Sequence, residues 1–288
     1  MSSRLCKIPF GTGKPDKLFD IDTDLVIRNF CHIDRFGFLF LFSDNHFIGF
    51  SDFKGHIVLP WMGEIDVTGN EDGTAPLFEY PSSICYFPAS KSCYIIERGG
   101  LQIRHIEISS KYCSSMLLSD SIGKYFSKFD GNKSETSCDV DVSGNIYWVV
   151  KGMHRGFRMN RDNNSATDYI GSGHPGFSVS NNLHFCLLSS PYGIKCIDGC
   201  IYISDTNNHC VRAIKDKAIS IVMGHPLNSE ILNTPSQLKL DANIMYVLDG
   251  HDIKYLSLKD KNIGKIYSSD NIIAFECNKK ELYVLEKV

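Results

Sequence analysis

One unit of sequence recurs along the chain, and it limits the possible folds more than any other feature. Its clearest copy is LSSPYGIKCIDGCIYISDTNNHCVRAI, from Leu188 to Ile214. The copy opens with Pro-x-Gly-Ile, runs as a strand to a turn at Asp198-Gly199, returns through IYISD, turns at TNNH and leaves as CVRAI. Short β-branched and aromatic stretches joined by Gly, Asn and Asp turns are the pattern of β-hairpins. Further copies start at Tyr80 (YPSSICYFPASKSCYIIERGGLQIRHIEI), Ser137 (SCDVDVSGNIYWVVKGMHRGFRMN) and Thr234 (TPSQLKLDANIMYVLDGHDIKYLSL), and weaker ones near Phe30 and Ile272. Helical periodicity is scarce, so the chain reads as all-β.

The copy from Ile272 stops at Val288 after two strands, and SSRLCKIPF, from Ser2 to Phe10, reads as its missing third strand. The GTGKPD that follows reads like a loop that leaves a finished unit. Sharing one unit between the two ends of a chain is how a propeller closes its ring and removes exposed sheet edges. Six units in 288 residues is 288/6 = 48 residues each, close to the roughly 40–50 of propeller repeats. The expected architecture is a six-bladed β-propeller forming one domain over residues 1–288.

The unit resembles the NHL repeat, whose consensus is similar to P-x-G-I-x-x-D…G-x-I-Y-V-x-D-T-x-N-H-x-[IV]-[RQ]. PYGIKCIDGCIYISDTNNHCVRAI matches it along its length, and GNIYWVV and YPSSI match parts. The connectors from Gly69 and Gly171 resemble the Gly-rich linkers that precede NHL blades. The resemblance covers nearly the whole chain and implies an NHL-type six-bladed propeller. It implies little about chemistry, because fold does not fix function.

Composition narrows the remaining classes. Thirty Lys+Arg against 33 Asp+Glu, a net charge of −3 and a pI near 6.4 argue against a globally basic nucleic-acid binder. No apolar run reaches the roughly 18 residues of a membrane span, and the N-terminus lacks the apolar core of a secretory signal, so no membrane association is expected. The eleven cysteines are an odd number without a C-x-x-C, and many lie inside apolar runs. They read as reduced, buried thiols with no disulfides, and the expected location is cytoplasmic.

No catalytic motif stands out: there is no phosphate loop ending in Lys-Ser/Thr, no G-x-S-x-G and no H-E-x-x-H. No cofactor and no metal site is expected. The turns between second and third strands share one face and carry a rim of Arg98, Lys151, His154, Arg155, Asn208, His209, His251 and Lys287. Asp and Asn suit turns, and the Asn-His pair belongs to the repeat itself. Aligned innermost strands place His32, Cys85, Asp139, Lys195, Lys239 and Ala274 around a central channel, with Asp139 expected to pair with Lys195. Asp34, Asp141, Asp198, Asp241 and Glu276 fall at hairpin turns of the opposite mouth, where Asp binds its own backbone. Phe157, Tyr169, Phe177 and Tyr192 read as loop-side aromatics.

The reading that follows is a non-enzymatic scaffold that binds a protein or peptide partner through the loop face. RNA binding by the same rim is one alternative that the resemblance implies. A metal-dependent hydrolase or lyase of the gluconolactonase or amidating-lyase type is the other, with Asp139, Glu276 and His32 as its nearest approach to a ligand set. One Asp beside two lysines is a poor start for such a site.

Overall fold

The structure is a computed structural model. It describes the chain except residues 1, 10–13, 98–99, 117, 119, 127–134, 181 and 279–280, and it describes the backbone alone at residues 120 and 121. Six four-stranded antiparallel sheets are arranged as the blades of a propeller. In chain order the first five blades span residues 29–63, 83–116, 136–170, 191–224 and 235–268. Their innermost strands are Asn29–Ile33, Ser83–Phe87, Thr136–Val140, Pro191–Ile197 and Pro235–Asp241.

Both ends of the chain build the sixth blade. From the axis outward, its strands are Ile272–Asn278, Glu281–Lys287, Ser2–Pro9 and Asp16–Asp22. The third of these pairs antiparallel with the second in continuous register from Ser3↔Lys287 to Pro9↔Glu281. The closure read from sequence is therefore present, with Phe10 and Gly11–Gly13 outside the described residues. The blade does not end there: a fourth strand follows from Asp16. Four of its seven residues are charged, only Phe19 and Ile21 are buried, and Leu18 packs partly against the same core.

Each joint between neighbouring blades holds one hydrophobic cluster, so six clusters form a ring that includes the joint between the sixth blade and the first. The physical cause is the two-residue period of a strand, which turns alternate side chains to opposite faces of a blade. All eleven cysteines are free thiols and nine are buried, consistent with the core-filling role read from sequence. Among the described residues, no helix is long and apolar enough to cross a membrane.

A four-stranded antiparallel blade returns the chain to the side it started from. The linkers between blades therefore emerge on the same face as the turns between second and third strands. Hairpins joining first to second and third to fourth strands occupy the other face. This topology defines a linker face and a hairpin face around a central channel.

Candidate functional site

The turns of the linker face are built by a local rule. Ser43–Asn45, Lys151–Met153 and Thr206–Asn208 are single 3-10 turns. Each is capped by a histidine in the left-handed conformation, His46, His154 and His209, with φ of 63°, 52° and 52°. The imidazoles reach the linker entering the next blade. His46 Nδ1 accepts the Tyr80 amide at 3.1 Å and His154 Nδ1 accepts the Ser190 amide at 3.0 Å, while His209 Nδ1 donates to the Asn233 carbonyl. The Asn-His signature thus ties one blade to the next.

A second rule was not read from the sequence. An acid ending the second strand pairs with a cation on the third: Glu97 with Arg104 at 3.1 Å, Asp205 with Arg212, and Asp249 with Lys254 at 2.7 Å. The acids accept linker amides of Glu79, Ser189 and Asn233. The cations donate to linker carbonyls of Leu77, Ser178 and Ile231. Glu97, Arg104, Asp205 and Arg212 are fully buried. The signal was available as an acid followed by Arg seven residues later in ERGGLQIR and DTNNHCVR.

These commitments sort the expected rim residues. Asn208 Nδ2 donates to Gly176 O and to Asp205, both at 2.8 Å, and so holds a linker as His154 and His209 do. Arg155 donates to the carbonyls of Gly171 and Ser172 and stacks over Tyr125 at 4.4 Å. Lys151 pairs with Glu135 and lies 5.5 Å over the Tyr192 ring. His251 is exposed, 3.5 Å from Asp270, and Arg98 lies outside the described residues. Phe157 is a core residue stacked on Trp148 at 5.4 Å, since its strand Arg155–Met159 is central in the third blade. Tyr169 is half-buried in the outermost strand of that blade, and Phe177 is a linker residue with Arg212 over its ring at 4.5 Å.

At the centre of the linker face lies a cavity of about 520 Å³, lined among others by Val26, Arg28, Tyr80, Glu135, Tyr192 and Ile273. The linkers of this face expose Val26, Ile65, Phe177, Val179, Phe185, Leu227 and Ile231, of which Val26 lines the cavity. Tyr192 and Thr136 also line the channel below, so the mouth opens into it. Burial first, and then the Glu135 carboxylate, push the Tyr192 phenol up to about 12, so it is a neutral hydrogen-bonding group at physiological pH.

The channel holds a cavity of about 200 Å³. Pairing registers put His32, Cys85, Asp139, Lys195, Lys239 and Glu276 at one level, opposite Phe38, Tyr94, Tyr147, Tyr202, Tyr246 and Tyr283. His32, Asp139, Lys195 and Lys239 are thus brought together. Glu276 takes the sixth place expected for Ala274, which lies two residues back in the joint core. The innermost strand of the last copy lacks the Pro-x-Gly landmark that fixes the register of the clearest copy. Glu276 is accordingly a channel residue and not a turn residue. Asp141 does serve its turn, accepting the amides of Ser143 and Asn145 at 2.9 Å.

Neighbouring blades pair their channel charges. Lys195 donates to Asp139 at 2.8 Å, and Lys239 to Glu276 at 2.8 Å. His32 stacks on Tyr283 with centroids 5.5 Å apart, and its Nε2 lies 3.3 Å from Asn278 Nδ2. Burial works against both ammoniums, but Asp139 beside Lys195 and Glu276 beside Lys239 more than offset it and hold each lysine above its ordinary range. Two resident cations oppose a divalent ion here. Among the described residues, no group of three or more His, Cys, Asp or Glu is placed to hold a metal.

No family model matches the chain, and no curated protein sequence does. Solved structures do. A structure described as a nidogen/laminin complex is similar at TM-score 0.60 and 11% identity, over 91% of each chain. A streptogramin B lyase is similar at TM-score 0.59 and 11% identity, over 96% of this chain and 84% of that one. A catalytically inactive variant of virginiamycin B lyase from Staphylococcus aureus, solved with quinupristin, is similar at TM-score 0.58 and 11% identity, over 99% of this chain and 100% of that one. At these identities the likeness shows the propeller fold alone.

Proposed function

We propose that this protein is a cytoplasmic, non-enzymatic interaction module of the NHL-repeat type that docks a protein or peptide partner on its linker face. The observation that carries the reading is seven exposed large apolar side chains on the linkers of one face, which also holds the cavity of about 520 Å³. Exposed apolar groups on the loops of a rigid scaffold are the usual material of partner-binding surfaces. The nidogen/laminin likeness agrees with an assembly role. The RNA alternative draws less support, because the rim's cations sit beside acids: Arg28 with Asp44 at 2.6 Å, Lys151 with Glu135, and His251 with Asp270. The lyase alternative rests on neighbours whose names describe lyases, while the acids of this channel are held by lysines.

The test is binding of a purified partner recovered by cross-linking in cells. Phe185→Asp and Leu227→Asp on the linker face should weaken its affinity by about tenfold or more. Phe36→Asp and Val142→Asp on the hairpin face should leave it unchanged. A partner equally insensitive to both pairs would overturn the reading, as would turnover of a small molecule by a protein that retains no partner.

A further inference from the structure

We propose that the central channel binds a small monocarboxylate, whose two oxygens bridge the ammonium groups of Lys195 and Lys239. The cavity of about 200 Å³ is smaller than the roughly 300–1,000 Å³ of drug-sized pockets, so its occupant is small. Around the ring the two lysines are neighbours, on the fourth and fifth blades, flanked by Asp139 on the third and Glu276 on the sixth. Each acid already holds one ammonium and one backbone amide. Asp139 accepts from Lys195 at 2.8 Å and from the Cys196 amide at 2.6 Å. Glu276 accepts from Lys239 at 2.8 Å and from the Cys277 amide at 3.1 Å.

An ammonium carries three donors, and each lysine uses one of them on its carboxylate. Each lysine therefore keeps donor capacity, and the two ammoniums are adjacent positive groups whose fields oppose each other. A carboxylate set between them takes a charge-assisted hydrogen bond from each and relieves their repulsion. The flanking acids select against a dianion, whose second charge would face Asp139 and Glu276. The opposite arc consists of His32 and Cys85 with Cys31 and Cys138 close by. It offers an imidazole and thiols to the uncharged part of the ligand.

The experiment is thermal shift and calorimetric titration of the full chain at neutral pH. The probes are acetate, propionate, butyrate and benzoate, with chloride and phosphate as controls. At least one carboxylate should raise the unfolding temperature saturably at millimolar concentration or below, and Lys239→Gln should weaken it about tenfold or more. Because Lys239→Gln strands Glu276, a second variant exchanges the pair, Lys239→Glu with Glu276→Lys. It keeps the ion pair between the fifth and sixth blades while separating the second ammonium from Lys195. This variant should melt near the parent and bind no carboxylate. The proposal is overturned if no carboxylate acts on the parent, if the exchanged variant binds as tightly as the parent, or if chloride and phosphate act as strongly as the carboxylates.

Discussion

Arg212 and Asp205 show what a single residue contributes here. Both are fully buried, and each is tolerable because the other and the linker backbone pair its charge, although Arg212 Nε itself has no hydrogen-bond partner. Arg212→Met should cost about 3–5 kcal/mol, because it leaves the Asp205 carboxylate buried without its counter-ion. Urea unfolding should show Arg212→Met/Asp205→Asn recovering part of that loss. His154 makes a pH prediction with a definite sign. Its Nδ1 must stay unprotonated to accept the Ser190 amide. Burial first, and then the field of His174, hold it below the ordinary histidine value against the pull of Asp205. The unfolded chain therefore takes up this proton before the folded one does. The stability that the neutral ring provides is complete above about pH 6.5 and is lost as pH falls below it through the lowered native value. His154→Asn keeps a residue that tolerates φ of 52° and removes the titration. The gap between parent and variant urea midpoints should narrow or reverse on acidification, and a constant gap would refute the assignment.

At the scale of elements, ring closure depends on the N-terminal strand. Ser2–Pro9 satisfies the outer edge of Glu281–Lys287, and Leu5 is fully buried in the joint between the sixth and first blades. Leu5→Ala should destabilise by about 2–5 kcal/mol. Removing residues 1–22 should expose that edge and the aromatic cluster around Phe30, Phe38 and Phe40. Size-exclusion chromatography should then find aggregates in place of a monomer. The third strand of this blade was legible because SSRLCKIPF shares the alternation of CVRAI. The fourth, Asp16–Asp22, was not, because a solvent-facing outermost strand buries too few side chains to leave a pattern.

At the scale of the whole molecule, the six joint cores consume most of the apolar side chains, cysteines among them. Burial pushes the Cys277 thiol up to about 12 and Cys196 well above its usual value, although these two are the least buried of the eleven. A thiol-reactive chromogen should thus react slowly with the native protein. After denaturation without reductant it should count eleven thiols. A lower count would show disulfides and contradict the free-thiol description. The same packing sends the linkers, with Val26, Phe185 and Leu227 exposed on them, to one side.

The repeat, its sixfold use and the sharing of one blade between chain ends were determined by sequence alone, because hairpin alternation and turn residues are local properties. So was the Asp139–Lys195 pair, once the innermost strands of strong copies were aligned. What the linker-face residues do was decided only by tertiary structure. Whether His154, Asn208, Arg155 or His209 faces a partner or a neighbouring linker depends on backbone atoms 16 to 36 residues away. The place of Glu276 likewise required the register of a blade assembled from residues at opposite ends of the chain. Local periodicity states which way a side chain points, and only the closed ring states what it meets there.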